Sequence, residues 1–315
     1  MKGLVLLTGI LSTLLSTPSS ALRVSTSLDW IEYTPQRYAA DNFYKGTSAI
    51  QISTGGVASL ARDNSVDVAA NAETQGLKQL SGRRSLRLIY MICEAQYRIV
   101  ANKAKGINSL EDLKGKRVGT LQGTSAGYFI NKFLGTVGLE PGQYTVASGN
   151  ACMRAPCGAG TLPQMLQNGQ IDAFGLWEAA PELGARALGE NHIFFQNGSV
   201  YREMYALYTT EEKLANPTIR ADIVEFVKAL NQTLDVYNNN PKEVFAKVAQ
   251  LVRSDADIVE AVWPEHLWTG RWAPELLEFL VEEDAYLAKE DRRQPIPRAD
   301  IEKFLDTSIL DELGL

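Results

Sequence analysis

Hydrophobic and polar positions in the first third of the chain switch between strand-like and helix-like spacing. Residues 22–30 (LRVSTSLDW) and 48–56 (SAIQISTGG) alternate as strands do, and a helical segment at 33–44 separates them. A short helix leads into a third strand at 66–70, and the apolar run 86–103 predicts a long strand pair. This order predicts an α/β sheet with ligands at the carboxyl ends of its strands.

The same pattern starts again after residue 104. The predicted strands and helices follow one another at 116–122, 125–139, 143–149, 162–170, 171–177 and 181–190. A further strand at 202–210 (REMYALYTT) returns toward the first half, and residues 211–315 have mostly helical spacing. The chain therefore reads as two α/β units followed by helices.

This repetition predicts two lobes with a cleft between them. Lobe 1 would consist of residues 22–103 and 206–315, and lobe 2 of residues 104–205. Two strands would cross between the lobes, near 98–104 and 203–209, and would place the cleft at the hinge. Ligands of open α/β sheets bind in such crevices.

The N-terminal segment has the regions of a secretory signal. Lys2 precedes the apolar run GLVLLTGILSTLL, and Ser19-Ser20-Ala21 supplies the small residues of a cleavage site. We therefore predict that residues 1–21 are a signal peptide cleaved after Ala21, and that the protein is secreted or periplasmic. The alternative is a membrane anchor, although the run is shorter than the roughly 20 residues that a span needs.

Composition and charge narrow the classes of partner. The 315 residues allow one large domain or two ordinary ones, and 45% hydrophobic with 22% charged residues is usual for a globular protein. The net charge is −6, and no cluster of Lys and Arg occurs. We therefore expect no nucleic-acid partner, because backbone binding needs concentrated positive charge.

The three cysteines have different expected roles. Cys152 and Cys157 lie close together in the loop-like segment NACMRAPCGAG, and export makes a disulfide between them the favoured prediction. Metal binding is the alternative, but no second Cys or His pair lies at ligand spacing, so we expect no metal. Cys93 lies in the apolar run LIYMICEA and is expected to be a buried free thiol.

Four segments resemble one known family in their order along the chain. Residues 107–146 contain INSLEDLKGKRVG, a Gly/Ser turn and a helix ending in GL, and 165–181 read MLQNGQIDAFGLWEAAP. Residues 60–73 (LARDNSVDVAANAE) and 233–245 (TLDVYNNNPKEVF) complete the set. The chain resembles periplasmic-type solute-binding proteins of the SsuA/THI5-like (NMT1-like) branch over about 22–312. The resemblance implies a two-lobed periplasmic binding protein-like (type II) fold.

The branch also contains an enzyme class, which is the main alternative. Fungal thiamine-pyrimidine precursor synthases carry L-D/N-W-x-x-N-x-x-H and a run of cysteines, and they use pyridoxal phosphate and iron. This chain begins the motif with LDW at 28–30, but Tyr33 replaces the Asn and Gln36 replaces the His. The cysteine run is absent, and His192 and His266 lie elsewhere. We therefore expect no cofactor, and pyridoxal phosphate with iron only if the chain is synthase-like.

Candidate ligand residues of the first lobe follow predicted strand ends. Trp30 is a candidate aromatic wall of the cleft, with core packing as the alternative, and Tyr33 is similar. Asn71, Glu73 and Thr74 resemble the first-lobe ligand loop of the family. Glu73 would accept a hydrogen bond from a ligand amine. The alternative for Glu73 is a solvated loop carboxylate.

The second-lobe candidates lie on a turn and at a strand end. Gly123, Thr124 and Ser125 precede a helix, whose free N–H groups and positive end can hold an anion, and the two hydroxyls add donors. Helix capping is the alternative. Trp177 would stack on a planar or cationic ligand, and Glu178 would favour an amine or ring N–H. A structural pair near the hinge is the alternative for these two residues.

The resemblance implies capture and delivery of a solute. The expected protein is a monomer that takes a sulfonate, nitrate, amine or pyrimidine-like molecule into the interlobe cleft and, in a bacterium, passes it to an ABC importer. No nucleophile–base–acid set is recognisable, so we predict no catalytic residues. A secreted scaffold of the same fold without a ligand is the remaining alternative.

Overall fold

The computed structural model describes residues 21–315. Residues 1–20 of the predicted signal peptide lie outside this range, and Ala21 begins the first strand. The strands are β1 (Ala21–Thr26), β2 (Ala49–Thr54), β3 (Val68–Ala72), β4 (Leu86–Gln96), β5 (Arg98–Asn102), β6 (Arg117–Thr120), β7 (Thr145–Ser148), β8 (Ala173–Leu176), β9 (His192–Phe195), β10 (Arg202–Thr210) and β11 (His266–Leu267).

Helices surround the strands. They are α1 (Thr34–Asn42), α2 (Gly56–Arg62), α3 (Glu73–Gly82), α4 (Ser125–Gly135), α5 (Leu162–Gln167), α6 (Ala180–Leu188), α7 (Glu211–Ala215), α8 (Pro217–Asn239), α9 (Phe245–Val252), α10 (Ala256–Val262), α11 (Leu276–Glu290), α12 (Arg298–Phe304) and α13 (Ser308–Leu313). Short 3-10 turns include Ile31–Tyr33 and Trp263–Glu265. Within residues 21–315, no helix combines the length and apolar content needed to cross a membrane.

Two separate sheets form the framework. The first has the order β11-β4-β10-β3-β1-β2, with β1 parallel to β2 and β3 and with β10 antiparallel to β3 and β4. The second has the order β7-β6-β8-β5-β9, in which β6 runs parallel to β7 and β8. We call the part built on the first sheet the first lobe and the part built on the second sheet the second lobe. The predicted two-lobed α/β fold is confirmed.

The chain changes sheets at positions slightly different from those predicted. It passes from β4 to β5 at Tyr97 and returns between β9 and β10, at 196–201. The predicted crossings at 98–104 and 203–209 instead fall inside sheets. Strand β5 pairs with β8 and β9, and β10 pairs with β4 along its whole length. The predicted lobe boundaries at 103/104 and 205/206 therefore differ from the sheet boundaries by a few residues.

Local sequence explains the elements that border the cleft. Helix α4 begins at a cap, because Thr124 has extended backbone and its Oγ1 accepts from the Ala126 N–H at 3.3 Å. Gly123 just before it has φ +77°, a left-handed conformation that glycine adopts without strain. Strand β4 is buried along nearly all its length because β10 and β11 flank it. The turn before α4 and the buried strand β4 therefore fix the backbone at the border of the cleft.

The predicted disulfide is confirmed. Cys152 and Cys157 are bonded, with their Cα atoms 5.8 Å apart, and they close a short loop between β7 and α5. Cys93 is a buried free thiol. Burial raises the pKa of Cys93 well above its usual value, as do the nearby carboxylates of Glu32 and Glu203. The Cys93 thiol is therefore kept in its unreactive neutral form.

Removal of the disulfide should weaken the protein moderately. We expect the double substitution C152S/C157S to lower the free energy of unfolding by about 2 kcal/mol, because the bridge closes only a short loop. Urea unfolding monitored by tryptophan fluorescence measures this loss. A reducing agent should produce the same change in the parent and none in the variant. Equal stability of the parent and the variant would contradict the expectation.

Candidate ligand-binding cleft

A cavity of about 320 Å³ lies between the two lobes, where β1, β3, β6 and β8 end. Its walls come from both lobes. Seven of its residues belong to the first lobe: Trp30, Glu32, Asn71, Ala72, Gln75, Glu203 and Tyr205. The second lobe contributes Leu121, Gly123, Thr124, Ser125 and Trp177. The position at the carboxyl ends of the strands is the one expected for a ligand site in α/β sheets.

Two tryptophans from opposite lobes meet at this cavity. The rings of Trp30 and Trp177 are 5.1 Å apart between centroids and lie edge to face at 70°. Trp177 is 8% exposed, and its Nε1 is buried without a hydrogen-bond partner. Trp30 is half-buried. The pair offers aromatic surface and one unused N–H donor.

The predicted turn lines the cavity, but the protein itself already uses its hydroxyls. Thr124 Oγ1 donates to the Leu121 carbonyl at 2.6 Å while it caps α4. Ser125 Oγ donates to Oε2 of Glu203 at 3.0 Å. The Gly123 carbonyl accepts from Lys78 Nζ at 2.9 Å, a contact between the lobes. Thr124 therefore acts as the cap of α4, which was the alternative to a role in anion binding.

Glu203 is a cavity residue that the sequence reasoning missed. It lies on β10, is 4% exposed, and accepts from the Tyr97 hydroxyl as well as from Ser125. Burial raises the pKa of Glu203 well above its usual value, and the carboxylates of Glu32 and Glu73 add to the rise. The available signal was an acidic residue near the start of the mostly apolar strand REMYALYTT, because Glu is rarely buried without a partner.

Glu32 is a second unforeseen carboxylate. It lies on the 3-10 turn after Trp30, is 2% exposed, and has no hydrogen-bond partner for either carboxylate oxygen. Its Oε1 is 3.6 Å from Nε2 of buried His266, whose Nδ1 lies 3.0 Å from the Val262 carbonyl. Burial lowers the pKa of His266, but the contact with Glu32 outweighs burial and raises it. His266 is therefore a partial counter-charge for Glu32.

Three predicted first-lobe residues lie outside the cavity. Tyr33 is 5% exposed and its hydroxyl donates to the Leu251 carbonyl at 3.4 Å. Glu73 and Thr74 begin α3 and point into the protein, so Glu73 is no solvated loop residue. Glu73 accepts from the Tyr201 hydroxyl and the Met204 N–H, both at 2.8 Å. These side chains face the core because α3 starts directly after β3.

Glu178 also turns away from the cavity, although its neighbour Trp177 faces it. The Oε1 of Glu178 accepts from Nε of Arg98 at 2.7 Å, and its Oε2 accepts from the Glu182 N–H at 3.3 Å. Burial raises the pKa of Glu178, and Arg98 partly offsets the rise. Arg98 itself stacks over the Phe194 ring at 4.0 Å. Glu178 therefore has a structural role, as the buried ion-pair partner of Arg98.

The side chains of the described residues are not arranged as an iron site. Among residues 21–315, no group of three or more His, Cys, Asp and Glu side chains is arranged to hold a metal ion. His192 lies outside the cavity, with Nδ1 2.6 Å from the Gly189 carbonyl. The described cavity walls contain no lysine that would form a Schiff base with pyridoxal phosphate. The donor set does not match the cofactors of the synthase alternative.

Several solved structures share the fold at low sequence identity. The alkanesulfonate-binding protein SsuA from Xanthomonas axonopodis pv. citri is 14% identical, with coverage of 93% of this chain and 100% of that chain and a TM-score of 0.67. A ligand-binding component of an ABC-type import system from Staphylococcus aureus is 10% identical, with 93% and 98% coverage and a TM-score of 0.71. The desulfurization enzyme DSZB is 13% identical, with 93% and 98% coverage and a TM-score of 0.60.

The family assignment comes from sequence. No curated protein sequence matches the chain. The family model described as NMT1/THI5 like matches residues 51–244, which is more than half of the 315 residues. This range includes strands of both sheets and most of the cavity walls. The chain therefore belongs to the NMT1/THI5-like family.

Proposed function

We propose that this protein is a solute-binding protein that captures a small polar organic molecule between its lobes. One observation carries the proposal: the cavity has walls from both lobes, with Trp30 of one facing Trp177 of the other. A ligand there contacts both lobes at once, so its binding energy favours a closed cleft. We further propose that the protein is exported as a monomer and delivers its ligand to an ABC importer.

The side chains of the cavity are suited to binding more than to a reaction. The Ser125 hydroxyl contacts Glu203 and Tyr97, and neither of these is a histidine or lysine base that would activate a nucleophile. Uncharged polar groups of the cavity also include the amides of Asn71 and Gln75 and the Tyr205 hydroxyl, which lies 2.9 Å from Thr26 Oγ1. Such groups can orient a bound ligand by hydrogen bonds.

A thermal-shift panel tests the proposal. The mature protein is heated with sulfonates, nitrate, pyrimidines, amino acids and polyamines, and we expect one class to raise the melting temperature. A ligand at a hundred times its Kd adds about 2.7 kcal/mol to the free energy of unfolding. The substitution W30A should reduce this stabilisation, whereas E140Q at an exposed site should not. Absence of any shift across the panel would favour the scaffold without a ligand.

A further inference from the structure

We infer that the cleft selects a small organic cation, an amine or related nitrogen base carrying an apolar group, over the anions that a helix N-terminus would favour. This inference rests on the proposed function and specifies the ligand class of the same cavity. Three features carry it: an internal carboxylate at the start of α4, an unpartnered buried carboxylate, and the aromatic pair.

An acidic side chain of the protein itself lies beside the start of α4. The carboxylate of Glu203 lies against Ser125, the first residue of the helix, and accepts from its hydroxyl at 3.0 Å. The positive end of the helix and the Tyr97 hydroxyl both favour a negative charge there. A sulfonate or nitrate at this position would have to displace the Glu203 carboxyl group or lie beside it, and neither Glu203 nor the unpaired Glu32 offers an anion a cationic partner.

Glu32 adds a second acceptor to the same cavity. Both of its oxygens are buried without a hydrogen-bond partner, an arrangement that costs free energy unless a donor arrives. His266 lies 3.6 Å from Oε1 only, so Oε2 has no donor within the described residues. An ammonium group has several N–H donors and no acceptor, and it can satisfy carboxylates that the protein leaves unpaired.

The aromatic walls of the cavity suit the apolar group of such an amine. Trp30 and Trp177 present aromatic rings, and ring faces attract cations within about 6 Å. No Lys or Arg is among the described wall residues, and the nearby Lys78 donates its ammonium to the Gly123 carbonyl. Near neutral pH, a protonated His266 neutralises one carboxylate at most. The described wall residues therefore include no cationic side chain that would attract an anion.

Three probes with the same benzyl group test the charge preference. Benzylamine, benzyl alcohol and phenylmethanesulfonate share one ring and carry a positive, a neutral and a negative head group. Isothermal titration of the full mature protein should give a Kd for benzylamine at least about tenfold lower than for the other two, because hydrogen bonds to charged groups are the stronger ones. Tighter binding of phenylmethanesulfonate, equal binding of all three, or no binding of benzylamine would each overturn the inference.

The substitution E203Q tests whether Glu203 causes the preference for benzylamine. E203Q keeps the size of the side chain and one acceptor oxygen but cannot become a carboxylate beside an ammonium group, so benzylamine should bind about tenfold more weakly and phenylmethanesulfonate no more weakly. E140Q, at an exposed site outside the cavity, should leave both affinities unchanged. If E203Q does not fold, E32Q provides the same comparison. An unchanged affinity for benzylamine in both folded variants would overturn the inference, while the wider ligand panel would still decide the proposed function independently.

Discussion

The substitution R98M should lower the free energy of unfolding by about 3–5 kcal/mol, the range for a buried ion pair that loses one partner. The Arg98 side chain is 10% exposed and that of Glu178 is 1% exposed, with 2.7 Å between Nε and Oε1. Arg98 also lies 3.5 Å from Glu182 and 3.8 Å from Glu265. Methionine fills a similar volume but leaves these three carboxylates without their shared cation.

Urea unfolding at pH 5 and pH 8 tests this expectation. The loss should be larger at pH 8, because at pH 5 the buried Glu178 can take up a proton and become neutral. The double substitution R98M/E178Q should recover part of the stability, since it also removes the most buried of the charges. R37M breaks the exposed pair with Asp41 and should cost at most about 1 kcal/mol. A loss of that size for R98M would show that Arg98 is not needed to hold Glu178.

The order of the elements was predictable because it depends on spacing along the chain. Strand β10 occupies the predicted range 202–210, and the strands and helices of both lobes follow in the predicted order. Strands β9 and β11 were not predicted, and β11 has only two residues. Helix α3 was missed because its start at Glu73 follows β3 without a turn signal. Pairing with neighbouring strands and packing against the core define such elements more than local spacing does.

Part of the cleft was predictable for the same reason. Residues just beyond strand ends reach the same edge of a sheet, so six candidates line one cavity: Trp30, Asn71, Gly123, Thr124, Ser125 and Trp177. The direction of the other side chains depends on partners far along the chain. Ser125 meets Glu203 at a separation of 78 residues, and Glu73 meets Tyr201 at 128. The spacing of residues within one segment cannot predict such long-range contacts.

The buried pair of Glu73 and Glu283 should make the stability of the protein fall as pH rises. Both side chains are 0% exposed, and Thr74 Oγ1 donates to Glu283 Oε1 at 2.6 Å and lies 3.3 Å from Glu73 Oε1. Burial raises the pKa of Glu73 to about 7, and burial with the charge of Glu73 raises the pKa of Glu283 well above its usual 4.5. The folded protein therefore keeps a proton on Glu283 that the unfolded chain loses.

The sign follows from this difference in bound protons. The stabilising contribution of protonated Glu283 is fully present below about pH 4.5 and is lost as pH rises toward its folded pKa. In that window, one such group lowers the free energy of unfolding by up to about 1.4 kcal/mol per pH unit. E283Q mimics the protonated acid, because its amide oxygen can accept from Thr74 and its amide nitrogen can donate toward Glu73. The variant should therefore lose less stability than the parent as pH rises.

Urea unfolding of the parent and of E283Q between pH 4.5 and pH 9 measures both slopes. We expect nearly equal stability at the acid end, where parent Glu283 and the glutamine are both neutral, and a more stable variant at the alkaline end. E290Q replaces an exposed carboxylate on the same helix and should follow the parent throughout, because Glu290 stays in water in both states. If the free energies of unfolding of E283Q and the parent change equally with pH over the whole range, Glu283 does not hold the extra proton. If the variant is less stable at every pH, the pair depends on the carboxyl group itself and not on its neutral form.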